Sequence, residues 1–265
     1  MSIEARNLFF SYGGADVLKD LSFSAEAGEL VAVLGPNGVG KSTFFGCLLG
    51  FLRPRAGEVL AEGKPIRGMS PRELASLIAY IPQYAPQTFN YTVLDLVTMG
   101  MTNQIPIFSS PKPEHRQKAL AALESLGIAH LADRGSGSIS GGERQLALLA
   151  RALVQDARVL IMDEPTANLD YGNSFRVMQR VQELGKQGYT VIFSTHEPNQ
   201  AFRYATRVLA LLNGGVLADG TPETALTEEL LGRLYGVGVA VRGAEVENML
   251  FRLSIPYEKR GGDRK

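Results

Sequence analysis

The 265-residue chain carries 27 Lys plus Arg and 27 Asp plus Glu, so its formal net charge is zero. This balance excludes the overall basic field with which a protein holds a nucleic-acid backbone through counterion release. The composition also excludes a disulfide framework, because Cys47 is the only cysteine. Cys47 lies in the apolar run FFGCLLG, which favours a buried thiol.

The first part of the chain, residues 3–64, mostly alternates short β-prone runs with Gly and Asp turns. This pattern predicts antiparallel strands. The run ELVAVLG is different, because it is continuously apolar, ends in glycine and leads into the helix-like KSTFFGCLLGFL. Such a run is typical of a buried strand that passes into a helix.

The stretch GPNGVGKST follows that strand and fits the pattern G-x-x-x-x-G-K-[ST] in the required strand-to-helix context. Glycines let backbone N–H groups approach phosphate oxygens, while Lys41 adds a charge and Ser42 offers a hydroxyl to Mg²⁺. The alternative, a glycine-rich turn before a helix, is disfavoured by this context. The sequence predicts a nucleotide-phosphate site built from Gly35, Pro36, Asn37, Gly38, Val39, Gly40, Lys41, Ser42 and Thr43.

The middle of the chain, from about 84 to 154, loses strand signals and becomes helical, which predicts an inserted helical subdomain. YAPQTFNY and QIPIFSSPKPEH are interpreted as loops at its edge. In SISGGERQLALLARAL, Ser140, Gly141 and Gly142 stand directly before leucines and alanines at helical spacing. This arrangement is typical of an anion-binding helix start, so the chain contains a second candidate for holding phosphate.

Two later apolar runs, RVLIMDE and YTVIFSTHE, flank the helical SFRVMQRVQELGKQG and predict a βαβ unit with a parallel sheet. Asp163 and Glu164 end the first run, where a buried strand that delivers two carboxylates serves something cationic. We expect Asp163 to help hold Mg²⁺ and Glu164 to orient an attacking water and accept its proton. The alternative is that the two acids only cap the end of the strand. His196 directly follows the apolar part of the second run. Two interpretations are open for it, a structural hydrogen bond or a contact with the γ-phosphate.

Spacing alone does not decide the roles of two further polar residues. Gln83, in YIPQY, is either an ordinary loop residue or a link between Mg²⁺ or water and the helical subdomain. Tyr12, in FSYGG, either packs against its neighbours or stacks on a nucleotide base.

The chain end is expected to consist of the short helix TEELLGRLYG and a frayed polar tail, EKRGGDRK. No segment reaches the roughly 20 apolar residues that span a bilayer, and MSIEARNLFF lacks the pattern of a secretory signal. We therefore expect a cytosolic chain that reaches a membrane only through a partner.

Taken in order, these stretches closely resemble the ATP-binding subunit of ABC transporters over nearly the whole chain. GPNGVGKST resembles the Walker A loop, SGGER the ABC signature and LIMDEP the Walker B strand. Gln83 is similar to the Q-loop glutamine, NLD at 168–170 to the D-loop, His196 to the switch histidine and Tyr12 to the A-loop aromatic. Ile139 departs from the leucine that commonly precedes SGG.

The resemblance implies an α/β P-loop NTPase fold with a parallel core sheet, an N-terminal antiparallel β subdomain and the inserted helical subdomain. The chain would then be a single ABC ATP-binding domain over 1–265, with a C-terminal extension from about 237 to 265. Its implied reaction is attack of water on the γ-phosphate of ATP, with Glu164 and His196 as catalytic residues. Mg²⁺ would be served by Ser42, Gln83 and Asp163.

ABC ATPases work as two subunits that face each other head to tail, each ATP lying between the Walker A loop of one and the signature of the other. The resemblance therefore implies a C2 pair of this chain, in which Ser140, Gly141 and Gly142 grip the γ-phosphate held by the partner. This arrangement explains why one chain carries two phosphate-binding candidates.

A narrower resemblance runs through TVLDLVTMG, LGIAHLADRGSGSISGGERQLALLARAL and STHEPNQA. These stretches are similar to the ATPases of bacterial importers for iron-siderophores, haem, cobalamin and related metal chelates or oxyanions. Met101 departs from the arginine that this family often has, and the following TNQIPIFSSP is unusual. The implied partners are an integral-membrane permease, which meets the helical subdomain near residues 83–100, and indirectly a solute-binding protein. The implied location is the cytoplasmic face of the membrane.

Other functions stay open at this point: import of an oxyanion, service to an exporter, or ATP binding in a regulatory module without transport. The regulatory module would more often lack a catalytic glutamate, whereas Glu164 is present. A nucleic-acid-associated ABC ATPase would normally show a coiled-coil or zinc insertion and a basic surface. Neither heptads nor cysteine pairs occur in the sequence, so we expect no nucleic-acid partner.

Overall fold

The computed structural model describes residues 2–83, 91–106 and 109–258. The chain divides into two compact units. The first unit comprises residues 1–4, 24–28 and 59–192, and the second comprises residues 5–23, 29–58 and 193–265.

The strands are β1 (Ile3–Phe10), β2 (Leu18–Ala25), β3 (Leu30–Leu34), β4 (Ala56–Ala61), β5 (Lys64–Pro65), β6 (Ile78–Ile81), β7 (Val159–Met162), β8 (Thr190–Thr195), β9 (Arg207–Leu212), β10 (Gly215–Gly220), β11 (Gly238–Val246) and β12 (Met249–Tyr257). The α-helices are α1 (Lys41–Leu48), α2 (Pro71–Leu77), α3 (Val93–Thr98), α4 (Pro113–Ser125), α5 (Gly141–Leu153), α6 (Tyr171–Lys186), α7 (Pro198–Tyr204), α8 (Pro222–Ala225) and α9 (Glu228–Tyr235). Short 3₁₀ turns lie at Met99–Met101 and Ala129–Leu131.

The core sheet has the parallel character that the sequence predicted. In the first unit its order is β8-β7-β6, with β6 parallel to β7 from Ile78↔Val159 to Ile81↔Met162. The division between the units falls within β8, so this strand also belongs to the second unit. There the order is β10-β9-β3-β8, with β3 parallel to β9 and β10 antiparallel to β9. Every residue of β3, β7 and β8 is buried, as expected of strands covered on both faces.

The N-terminal strands form a separate sheet with the order β2-β1-β4-β5, in which β4 and β5 pair antiparallel. The division between the units cuts β1, β2 and β4, so this sheet contributes to both. The predicted antiparallel sheet near the N-terminus is therefore confirmed.

The helical stretch of the first unit contains α3, α4 and α5, which match the three predicted helices. The Thr92 hydroxyl accepts a hydrogen bond from the Asp95 N–H and caps α3. Gly100 lies against the Arg151 carbonyl of α5, where a larger residue would not fit, and Met101 is fully buried. Most of the predicted edge loop, residues 84–90, and residues 107–108 lie outside the described residues.

The C-terminal end contains an element that the sequence analysis did not predict. The expected helix is α9, which ends at Gly236 in the left-handed region (φ 72°). It is followed by an antiparallel hairpin, β11–β12, paired from Gly238↔Tyr257 to Val246↔Met249. Glu247 and Asn248 form its turn, both with positive φ, as in a type I′ turn. The expected polar tail falls almost entirely in residues 259–265, outside the described part of the chain.

Cys47 is buried, as its apolar surroundings predicted, with 1% of its surface exposed. Burial raises the pKa of its thiol to about 11. Among the residues that the structure describes, no helix combines the length and apolar character that crossing a membrane requires.

Candidate functional site

The predicted phosphate loop, residues 35–43, connects β3 to α1 in the second unit. Gly38 and Gly40 have φ values of 80° and 109°, a region that residues with a side chain rarely adopt. Gly40 is the N-cap of α1, so the left-handed turn directs the chain from the buried strand straight into the helix. The backbone therefore has the close wrap that phosphate binding at a helix start requires.

Lys41 lies within this loop and is buried, with 6% of its surface exposed. Its ammonium donates hydrogen bonds to the carbonyl oxygens of Gly35 (2.7 Å) and Pro36 (3.2 Å). A buried cation needs such partners, and here the loop itself supplies them. The charge is consequently held at the loop, where phosphate oxygens are expected to bind.

Tyr12 lies beside the phosphate loop. Its hydroxyl is 3.3 Å from that of Thr43, and its ring makes an edge-to-face contact with Phe10 at 4.8 Å between centroids. Nevertheless 68% of Tyr12 is exposed. The ring is therefore not a core residue, which leaves an aromatic face available for stacking.

His196 directly follows β8, the neighbour of β3 in the second unit. Its backbone carbonyl accepts a hydrogen bond from the Tyr235 hydroxyl (2.9 Å), and the next residue, Glu197, donates its N–H to the Thr195 hydroxyl (3.0 Å). The His196 side chain is exposed. Tyr235 was not singled out from the sequence, where it is an ordinary aromatic near the end of a predicted helix.

In the first unit, Asp163 and Glu164 directly follow β7. Asp163 is buried, with 7% of its surface exposed, and its N–H donates to the Ile81 carbonyl (2.9 Å). Glu164 has a φ of 44°, and the Gln83 side-chain amide donates to its carboxylate (3.2 Å). Because β6 and β7 pair in parallel, two residues separated by 81 positions meet just beyond the strand ends.

The predicted signature segment forms the start of α5, also in the first unit. Ser140 is the N-cap: its hydroxyl accepts the Glu143 N–H (3.3 Å), and the Glu143 carboxylate accepts the Ser140 N–H (2.7 Å). The Ser140 backbone N–H, followed by its side chain, lowers the pKa of Glu143. This capping box fixes the helix start, and Ser140 and Gly141 remain exposed there.

Gly142 has a packing function that the sequence did not reveal. A Cβ at this position would lie 2.5 Å from Cγ of Asn173 in α6. Asn173 is in turn held by Asp170, the N-cap of α6, which accepts both its backbone N–H and its side-chain amide at 2.8 Å. Glycine at 142 is therefore required by the neighbouring helix, independently of any phosphate contact.

Comparison with known proteins shows the family to which the chain belongs. Residues 18–167, more than half of the chain, match the family model described as ABC transporter. The chain belongs to the ABC transporter ATP-binding family. The predicted resemblance is thereby confirmed, and as a member of this family the chain is an ATPase whose substrate is ATP.

Two curated relatives and one solved structure show how far the similarity extends. The ferric enterobactin transport ATP-binding protein FepC of Escherichia coli is 34% identical over 236 residues, 89% of this chain and 87% of the relative. The molybdate import ATP-binding protein MolC of Haemophilus influenzae is 36% identical over 260 residues, 97% of each chain. The structure of a transporter described as of the metal-chelate ABC type, in an inward-facing conformation, is 34% identical over 97% of each chain, with a TM-score of 0.87.

Proposed function

We propose that this chain is the ATP-hydrolysing subunit of an ABC importer that takes up a metal chelate, such as an iron-siderophore, haem or cobalamin, through a separate membrane permease. The observation that carries the proposal is the similarity to FepC and to the metal-chelate type transporter along most of the chain. The contact between Gln83 and Glu164 supports a hydrolytic role, because it orients a carboxylate at a strand end.

In the proposed reaction, Glu164 orients the attacking water and accepts its proton. The hydrogen bond from Gln83 limits the positions that the carboxylate can take. Lys41 and the N–H groups of residues 35–43 stabilise charge on the β- and γ-phosphates, and His196 contacts the γ-phosphate. Tyr12 stacks its exposed ring on adenine.

Mg²⁺ is assigned to Ser42, Gln83 and Asp163. These residues offer a hydroxyl, an amide oxygen and a carboxylate, the hard oxygen donors that Mg²⁺ prefers. Asp163 is a buried carboxylate at the end of an otherwise apolar strand, which fits a position beside a cation. When bound, the ion neutralises negative charge on the phosphates.

Membership of the family supports the remaining partners of this proposal. A second copy of this chain supplies the signature, in which Ser140 and the start of α5 face the γ-phosphate with a hydroxyl, backbone N–H groups and the positive helix end. The permease meets the helical stretch near residues 83–100, and a solute-binding protein delivers the solute. The working location is the cytoplasmic face of the membrane.

A second candidate solute class is an oxyanion, because MolC is similar along 97% of both chains. The test is to purify the chain together with its permease, reconstitute the complex in lipid vesicles and measure phosphate release. The solute-binding protein is supplied in turn with a ferric siderophore, haem, cobalamin or molybdate. We expect a metal chelate to stimulate hydrolysis and molybdate to leave the rate unchanged.

The same complex carrying Glu164→Gln serves as the control, because it should assemble normally and show no stimulated hydrolysis. Stimulation by molybdate alone would establish the oxyanion candidate. A complex that hydrolyses ATP without responding to any of the four solutes would contradict the metal-chelate assignment.

A further inference from the structure

We infer that Tyr235 is a positioning residue for His196, and that the C-terminal segment, residues 228–257, thereby fixes the loop that carries the imidazole. The inference rests on the proposed role of His196 in ATP hydrolysis. The residues that support it all lie in the second unit.

The peptide group between His196 and Glu197 is held on both sides by side chains. Its carbonyl oxygen accepts the Tyr235 hydroxyl at 2.9 Å, and its N–H donates to the Thr195 hydroxyl at 3.0 Å. A peptide group is planar, so fixing its two polar atoms restricts the ψ angle of His196 and the φ angle of Glu197. The direction in which the His196 side chain leaves the backbone is restricted with them.

Thr195 is a local partner, but Tyr235 is 39 residues away in α9. Burial, followed by the charge of Glu197, raises the pKa of Tyr235, so its hydroxyl remains a neutral donor at physiological pH. The helix that presents it is anchored by Leu231 and Leu234, which are buried. The donor is consequently attached to a packed element rather than to a free loop.

A second set of contacts fastens the other end of the same loop. Asn199, in the first turn of α7, accepts the N–H and the hydroxyl of Ser254 in β12 at 2.7 and 2.9 Å and donates to its carbonyl at 3.2 Å. Arg203 lies over the ring of Phe251 at 5.7 Å. The C-terminal segment therefore holds the chain at two points, the carbonyl of His196 itself and the side chain of Asn199, three residues further on.

The first test measures the position of His196 without relying on activity. The chain has three histidines, so histidine-labelled protein gives few ring resonances in an NMR spectrum, and His196→Ala identifies the one that belongs to His196. We expect Tyr235→Phe to shift that resonance and to leave those of His115 and His130 in place. Tyr257→Phe is the matched control, because it removes an exposed hydroxyl from the same segment.

The second test measures hydrolysis by the full-length chain. Loss of one neutral hydrogen bond corresponds to about a fivefold change in rate, so we expect Tyr235→Phe to lower kcat by about fivefold with little change in KM for ATP. In the His196→Ala background, the same substitution is expected to have no further effect. Asn199→Ala, which removes the hydrogen bonds to Ser254, is also expected to lower kcat.

The outcomes separate this inference from the proposed function. If His196→Ala hydrolyses ATP normally, the catalytic assignment of His196 fails, and this inference fails with it. If His196→Ala is slow but Tyr235→Phe changes neither the resonance nor kcat, only the inference is overturned. Equal slowing by Tyr235→Phe in both backgrounds would also overturn it, because Tyr235 would then act by another route.

Discussion

At the scale of single residues, Glu164 combines a strained backbone with an oriented side chain. Its φ of 44° is rare for a residue with a side chain and costs on the order of 1–3 kcal/mol. Its carboxylate accepts a hydrogen bond from Gln83. Strain of this kind persists where the position of a side chain matters more than local stability, which supports placing Glu164 beside the attacking water.

We expect Glu164→Gln to keep its affinity for Mg-ATP and to lower kcat by about a hundredfold or more. The amide preserves the shape of the side chain but cannot accept the proton of the water. Equilibrium nucleotide binding and steady-state phosphate release measure the two effects separately.

Glu124→Gln is the matched control for this substitution, because Glu124 is exposed on α4 and has no assigned role. It should behave as the unmodified chain does in both assays. Near-normal hydrolysis by Glu164→Gln would show that another group activates the water.

Some residues of the candidate site could be predicted from the sequence, whereas contacts between distant residues could not. The phosphate loop and the pair Asp163 and Glu164 are recognisable because each follows a continuous apolar run within a few positions. The contact between Gln83 and Glu164 and the one between Tyr235 and His196 join residues 81 and 39 positions apart. Only strand pairing and helix packing bring such residues together, and neither leaves a local pattern.

At the scale of elements, the start of α5 is shaped by its neighbour α6. We expect Gly142→Ala to lower the free energy of unfolding by about 1–3 kcal/mol, because the added Cβ would collide with the Asn173 side chain. In an Asn173→Gly background the colliding atoms are absent, so the same substitution should cost less. Denaturant unfolding of the unmodified chain, the two single variants and the double variant gives the coupling free energy.

Gly141→Ala is the matched control, since its Cβ would meet only the end of the flexible Leu169 side chain, at 3.3 Å. Its effect on stability should be small and independent of Asn173. Additive costs of Gly142→Ala and Asn173→Gly would contradict the packing explanation for Gly142.

The elements themselves differ in how strongly the sequence specifies them. The strands β3, β7 and β8 are predictable because burial on both faces requires unbroken apolar runs. The hairpin β11–β12 escaped prediction because its turn contains Glu247 and Asn248 rather than a glycine pair. Gly243 also interrupts the first strand, which further weakens its pattern.

At the scale of the whole molecule, the proposed pair of chains predicts that two different defects can complement each other. Lys41→Ala damages the phosphate loop, and Ser140→Arg places bulk and charge at the start of α5. We expect neither variant alone to form an intact ATP site. In a mixed pair both defects fall in one site, so the other site should be complete.

The measurement is ATP-dependent pairing of the two variants, each carrying a different tag. We expect pairing in the mixture and none with either variant alone. Pairing is a better readout than hydrolysis, because hydrolysis can require two working sites. Correctly folded variants that do not pair when mixed would contradict the facing arrangement, in which each signature completes the site of the other chain.

The burial of Cys47 makes the chain well suited to site-specific labelling. With a pKa of about 11, only about one thiol in ten thousand is ionised at pH 7, and the reactive thiolate is enclosed by the core. A maleimide dye or a spin label will therefore react with a cysteine introduced at an exposed position, such as Asn248 in the hairpin turn, long before it reaches Cys47. Opening and closing of the proposed pair of chains can consequently be tested by distance measurements in a sequence that keeps its native cysteine.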